Sequence, residues 1–137
     1  ESLLSFGGFD SLAHLSYPLR YLENKISVCS IERYANFVEP ILKRTADMGL
    51  ALEVNTRGLF DWQHRVDPEP WVLQRFRELG GKYITIGSDS HRKERIGSGF
   101  YEALKTIKAA GFDSIAIFRE RKPIQVQIEQ LLTPVTD

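Results

Sequence analysis

The chain has 137 residues, 42% of them apolar and 26% charged, which suits one globular domain and excludes a disordered tract. Eighteen basic and eighteen acidic residues cancel, so no overall charge draws the chain toward nucleic acid or an anionic membrane. No apolar run approaches ~18 residues, which excludes a helical membrane span, and Cys29, the single cysteine, fits a reducing, cytoplasmic setting.

The opening residues, ESLLSFGGFD, carry neither an initiating Met nor a basic-then-apolar signal pattern, and they read as a chain entered partway. Four strand-like runs follow, each with a helical pattern behind it. The first run is Phe9 to His14. After a loop, Ile31, Tyr34, Ala35, Val38, Ile41, Leu42 and Ala46 recur at helical spacing, predicting a helix over 31–48 that Gly49 ends. The second run is Leu50 to Asn55. Beyond the loop TRGLFDWQHRV, Asp67 is expected to cap a helix with Pro68 in its first position, and Gly80-Gly81 stops it. The third run is Tyr83 to Gly87, with a helix near 100–110 behind it. The fourth is Ser114 to Phe118, with a helical tail expected from about Pro123 to Leu132.

Strands alternating with helices imply βαβ units and a largely parallel sheet. In such folds the working residues lie beyond the carboxyl ends of the strands. The unusual polar residues of this chain lie there: His14 after the first strand, Asn55 and Arg57 after the second, Asp89 and His91 after the third. The two-residue period puts Glu53 and Asn55 on one face, with Leu52 and Val54 on the other. It also puts Thr85, Gly87 and, if the strand runs on, Asp89 on the polar side, with Ile84 and Ile86 toward the helices.

Carboxylate oxygen and neutral imidazole nitrogen suit Zn²⁺, Mn²⁺ or Fe. An Asp-x-His pair alone fits a turn cap and a loop histidine equally well. Three such sites at neighbouring strand ends favour metal binding or catalysis. His64, in a polar loop beside Arg65, reads as solvated. Arg20 and Arg57 offer forked, permanently charged donors suited to phosphate, although either serves equally in a surface ion pair.

LAHLSYPLRY (12–21), LEVNTRGL (52–59), LGGKYITIGSDSH (79–91) and GFDSIAIFRERKP (111–123) together resemble the PHP-type histidinol-phosphatases, of the polymerase-and-histidinol-phosphatase superfamily. The resemblance implies an α/β fold, with four βα units forming the carboxyl-terminal half of a distorted (βα)7 TIM-like barrel. It implies a cluster of up to three divalent metal ions, Zn, Mn or Fe, with His14, Asp89 and His91 among the ligands. By the same resemblance Asp89 and His91 are catalytic, Arg20 and Arg57 hold phosphate, and Tyr21 and Asn55 line the site. Ser16 stands where the family often has Asp. The family's amino-terminal His-x-His pair, bridging carboxylate and a further histidine have no counterpart among these residues.

The implied reaction is hydrolysis of L-histidinol phosphate to L-histidinol and phosphate, a step of histidine biosynthesis. Two other readings stay open. One is a phosphoesterase of the same superfamily acting on another small phosphate or nucleotide, and the other is a non-catalytic ligand-binding module. Phe60 and Trp62 are candidate walls for an imidazole. The partner expected is a small-molecule phosphate, not nucleic acid or membrane. Residues 1–137 by themselves, as a single partial domain, are expected to be inactive and to self-associate through an open sheet edge.

Overall fold

The computed structural model describes residues 2–21, 30–60 and 64–133, with the side chains of Arg20 and Tyr21 outside the described part. A short helix, α1 (Ser2–Phe6), buries Leu4 and leads into β1 (Ser11–Leu12). After a 3-10 turn at Ile31–Tyr34 comes α2 (Ala35–Asp47), then β2 (Ala51–Asn55), α3 (Pro70–Glu78), β3 (Tyr83–Gly87) and α4 (Phe100–Ala109). The chain closes with β4 (Ser114–Arg119), β5 (Lys122–Gln127) and α5 (Ile128–Leu132).

β1, β2 and β3 form a parallel sheet in that order, with Leu12, Leu52 and Ile84 in register. Those three, with Val54, turn to the helices and are buried. Val38 and Leu42 of α2, Val72, Leu73 and Phe76 of α3, and Leu104 and Ile107 of α4 meet them there. The opposite face is polar, as the alternation requires. Ser11 and Thr85 share a hydrogen bond of 2.7 Å across it, and Asn55 Nδ2 donates to Glu53 Oε2 at 3.4 Å. A Cβ at Gly87 would stand 2.4 Å from Glu53 Oε1, so that carboxylate would have to move aside.

Three expectations are corrected. The first strand pairs over Ser11–Leu12 alone, because the chain turns at His14, where φ is 59°. Asp67 does not cap α3: its N–H and C=O are taken by Asn55 at 2.9 and 2.6 Å, so the helix starts at Pro70 with Glu69 as N-cap. The Glu69 carboxylate instead accepts from Ile31 N–H at 2.6 Å and Ser30 Oγ–H at 2.9 Å, pinning the start of the α2 segment.

The third correction concerns the expected helical tail. Residues 122–127 are not helical but form β5, antiparallel to β4. Glu120 and Arg121 make the two-residue turn with φ of 49° and 64°, the handedness that matches the twist of a hairpin. The described chain is therefore a three-stranded parallel sheet plus a two-stranded hairpin, a mixed α/β arrangement. An Arg121–Asp10 ion pair of 3.0 Å ties the hairpin turn back to the residue before β1. No helix among the described residues is long and apolar enough to cross a membrane.

Candidate functional site

The carboxyl ends of β2 and β3 are joined by Thr56 N–H, which donates to Gly87 C=O at 2.8 Å. Beyond β2, the Asn55 side-chain oxygen accepts from Arg57 N–H at 3.0 Å and starts the 3-10 turn Arg57–Leu59. Asn55 is buried, its amide spanning Glu53 and the Arg57 backbone. It therefore sits beneath Arg57 and aims it, rather than lining the cleft. Beyond β3 the backbone departs from the strand: Asp89 has φ of 44°. His14 and Asp89 are thus both non-glycine residues in left-handed conformation. That is a strained state costing roughly 1–3 kcal/mol, which folds tend to keep where function needs it.

The Arg57 guanidinium stands between the two candidate ligands beyond β3. Its Nη1 is 3.2 Å from Asp89 Oδ2 and 3.1 Å from His91 Nδ1. His91 Nδ1 is also 2.9 Å from the Asp89 carbonyl oxygen. One ring nitrogen cannot serve both contacts: it accepts from Arg57 only when the proton is on Nε2, and donates to the carbonyl only when the proton is on Nδ1. With Nδ1–H on the carbonyl, the Nε2 lone pair faces outward, the arrangement that a metal-ligating histidine uses.

His14, Tyr17, Arg57, Asp89 and His91 line one open cleft of about 260 Å³. The structure thus places His14, Arg57, Asp89 and His91 on one cleft. The Arg20 and Tyr21 side chains lie outside the described part, as does Trp62, and His64 is exposed. Tyr17, whose ring meets His14 edge-on at 5.9 Å, was missed, although it stands three residues from His14. A second cleft of about 290 Å³ shares Arg57, Asp89 and His91 with the first and adds Phe60, Ser88, Ser90, Arg92 and Arg95. The only signal for those arginines was the basic run after His91.

Among the described residues, no three His, Cys, Asp or Glu side chains converge closely enough to hold a metal. The donors present nonetheless suit one edge of a divalent-metal site: a carboxylate and an imidazole 3.9 Å apart, already gathered about a cationic group, with His14 on the same cleft.

Under His14 lies a further acid. Burial raises the Asp67 carboxyl above its ordinary range, opposed by the buried Ser16 hydroxyl and the charge of Arg65. Ser16 Oγ and Asp67 Oδ1 are close enough to interact, yet neither makes a hydrogen bond of good geometry among the described residues. A carboxyl whose folded pKa is raised binds its proton more tightly folded than unfolded. Its contribution to stability is therefore greatest at low pH and is lost as pH rises from the unfolded value through the folded one. Asp67→Asn keeps the shape and removes the titration. The variant is expected to match or exceed wild-type stability at pH 7, and to lose that advantage toward pH 3. Urea unfolding of both proteins across this range checks it, and a variant less stable at pH 7 than at pH 4, relative to wild type, contradicts it.

No protein-family model matches the chain. A probable histidinol-phosphatase of Thermotoga maritima is 35% identical over 80% of this chain and 44% of its own length. The histidinol-phosphatase of Lactococcus lactis is 35% identical over 86% of this chain and 44% of its own. The fold agrees with the solved histidinol phosphate phosphatase of Lactococcus lactis, determined with zinc, L-histidinol and phosphate. It aligns with a TM-score of 0.75 at 30% identity over 90% of this chain and 47% of that one. The chain is a homologue of histidinol-phosphatases. It spans less than half the length of these histidinol-phosphatase relatives.

Proposed function

We propose that this chain contributes part of the active site of a metal-dependent histidinol-phosphatase, which hydrolyses L-histidinol phosphate to L-histidinol and phosphate. The observation that carries the reading is the gathering of His14, Arg57, Asp89 and His91 on one cleft at the sheet's carboxyl end. The zinc, histidinol and phosphate of the Lactococcus lactis relative support it. So does the similarity of the chain to enzymes of that name.

His14, Asp89 and His91 would hold divalent metal at one side of the cluster. When bound, the metal supplies an activated water nucleophile and polarises the phosphoryl oxygens. Arg57, beside the same pair, would offer its fork to the phosphate oxygens and stabilise the charge that builds on them. Asn55 keeps the Arg57 backbone in place throughout, through the 3.0 Å bond to its N–H. Arg20 and Tyr21 are assigned to the same phosphate on sequence resemblance. The site belongs to a cytoplasmic enzyme of histidine biosynthesis.

The test is release of inorganic phosphate from histidinol phosphate by the complete gene product, with and without chelator. Metal-dependent turnover faster than with nucleotides or sugar phosphates supports the reading. A preference for another phosphate makes it a phosphoesterase of different substrate, and no metal-dependent turnover makes it a binding module.

Residues 1–137 taken alone are proposed to be the carboxyl-terminal half of the barrel. No three metal-binding side chains converge among the described residues, so this piece is expected to show no turnover with added Zn²⁺ or Mn²⁺. Ile117 and Ile124, directly opposed in the hairpin, are 50% and 42% exposed, and Phe6 and Phe37 are 88% and 74% exposed. The piece is therefore expected to self-associate, read by light scattering against concentration. A monodisperse, active monomer would overturn both expectations.

A further inference from the structure

The cleft that Phe60, Arg92 and Arg95 share with Asp89 and His91 has an unusual charge balance. Arg57, Arg92 and Arg95 line it with one carboxylate, Asp89, which Arg57 already engages at 3.2 Å. Among the described residues neither Arg92 nor Arg95 forms an ion pair, and the intervening Glu94 lies nearest Lys93, at 3.9 Å. Two guanidinium groups without carboxylate partners, beside a third, leave a concave surface of excess positive charge. A volume of about 290 Å³ is ample for a tetrahedral oxyanion.

Arg95 is held beside the cleft: its guanidinium lies over the Phe60 ring, 5.3 Å from the centroid. The arginines' segment is a 3-10 turn, Lys93–Arg95, closed by Arg92 C=O accepting from Arg95 N–H at 3.1 Å. Its far end is clamped to the loop after β2, where Thr56 Oγ1 donates to Ser98 C=O at 2.6 Å. Gly99, with φ of 78°, packs so closely that a Cβ would stand 2.6 Å from the Leu59 side chain and 3.0 Å from Thr56. Phe60 and Arg95 thus come from two strand-end loops that are fastened together.

We propose that Arg92 and Arg95 form, with Arg57, a second oxyanion subsite next to the Asp89–His91 pair, which takes a phosphate group outside the metal-ligating position. It rests on the phosphate reading of Arg57 and adds a place where the group docks before hydrolysis or rests after it. A cationic leaving group would be repelled there, so the subsite receives the anionic end of the substrate or free phosphate, and not the amine of the alcohol product.

Direct binding tests this without turnover, so a failure of the hydrolysis reading stays distinguishable. Inorganic phosphate and phenyl phosphate are titrated calorimetrically into the complete gene product in chelator, for wild type, the double variant Arg92→Ala/Arg95→Ala, and Arg57→Ala. The double variant is expected to bind inorganic phosphate about tenfold more weakly, with a flatter dependence on salt and an unchanged far-UV spectrum. Weakening confined to inorganic phosphate assigns the subsite to the product, and weakening of both ligands assigns it to the ester as well. Unchanged binding of both ligands in the double variant overturns the proposal, whatever Arg57→Ala does.

Discussion

Asp89→Ala and His91→Ala are each expected to reduce metal-dependent phosphate release by the complete protein by about a hundredfold or more. Losing a hydrogen-bond partner of a metal ligand costs about 10–100-fold, and a direct ligand sets that as a floor. The fold should survive, because the Asp89 and His91 side chains are 30% and 70% exposed and take no part in the apolar core. Bound metal, measured on the purified variants, should fall with activity. Asp89→Ala also leaves the Arg57 guanidinium without its carboxylate, so Arg57 then serves phosphate alone, and inorganic phosphate binding in chelator should hold or tighten. Wild-type metal content and turnover in both variants would remove the pair from the site.

Phe76→Ala is the substitution expected to cost most in stability. Its side chain is fully buried in α3, stacked on Phe112 with centroids 6.5 Å apart. Gly81 lies flat against the ring, so closely that a Cβ there would stand 2.5 Å from three ring atoms. Neighbours on a helix and two loop ends cannot collapse together into the space. A loss of about 3–5 kcal/mol is expected, a large part of the roughly 5–15 kcal/mol that holds an ordinary domain. Denaturant unfolding measures it, and a shift under about 1 kcal/mol would mean that the ring is not the centre of this core. Gly81→Ala should lower stability through the same contact, without removing any apolar surface.

Both sites trace to residues visible in the sequence, but by different routes. Phe76 is marked by its helical spacing with Trp71, Leu73 and Leu79, and the ring-on-glycine contact follows from Gly80-Gly81 ending that helix. For Asp89 the two-residue alternation failed. It assumed a strand continuing past Gly87, whereas β3 ends there and Asp89 enters a left-handed turn. The residue still reaches the cleft because the turn, not the pleat, aims it. Asn55 was read as a cleft residue and is a support for Arg57, since a side-chain amide at a strand end caps the next turn as readily as it faces a ligand.

The elements with local causes were determined by the sequence alone. β2 and β3 are apolar runs with one oily face, and α2 and α4 carry helical periodicity closed by Gly49 and Gly111, so each is specified by neighbours a few residues away. The strand-end location of His14, Arg57, Asp89 and His91 follows from those elements. Only the tertiary structure decided the rest. The β4–β5 hairpin has Glu-Arg in place of a glycine-bearing turn, and Pro123 at its start reads as a helix beginning. Its strand state comes from pairing with β4 across the two-residue turn, which residues 122–127 alone do not reveal. Asp67 was taken from its capping role by a backbone bridge to Asn55, 12 residues earlier. The placing of Arg57 between Asp89 and His91 joins residues 32 and 34 positions apart. Register between strands and the closing of loops set such distances, and these depend on the packing of the whole sheet rather than on any stretch of sequence.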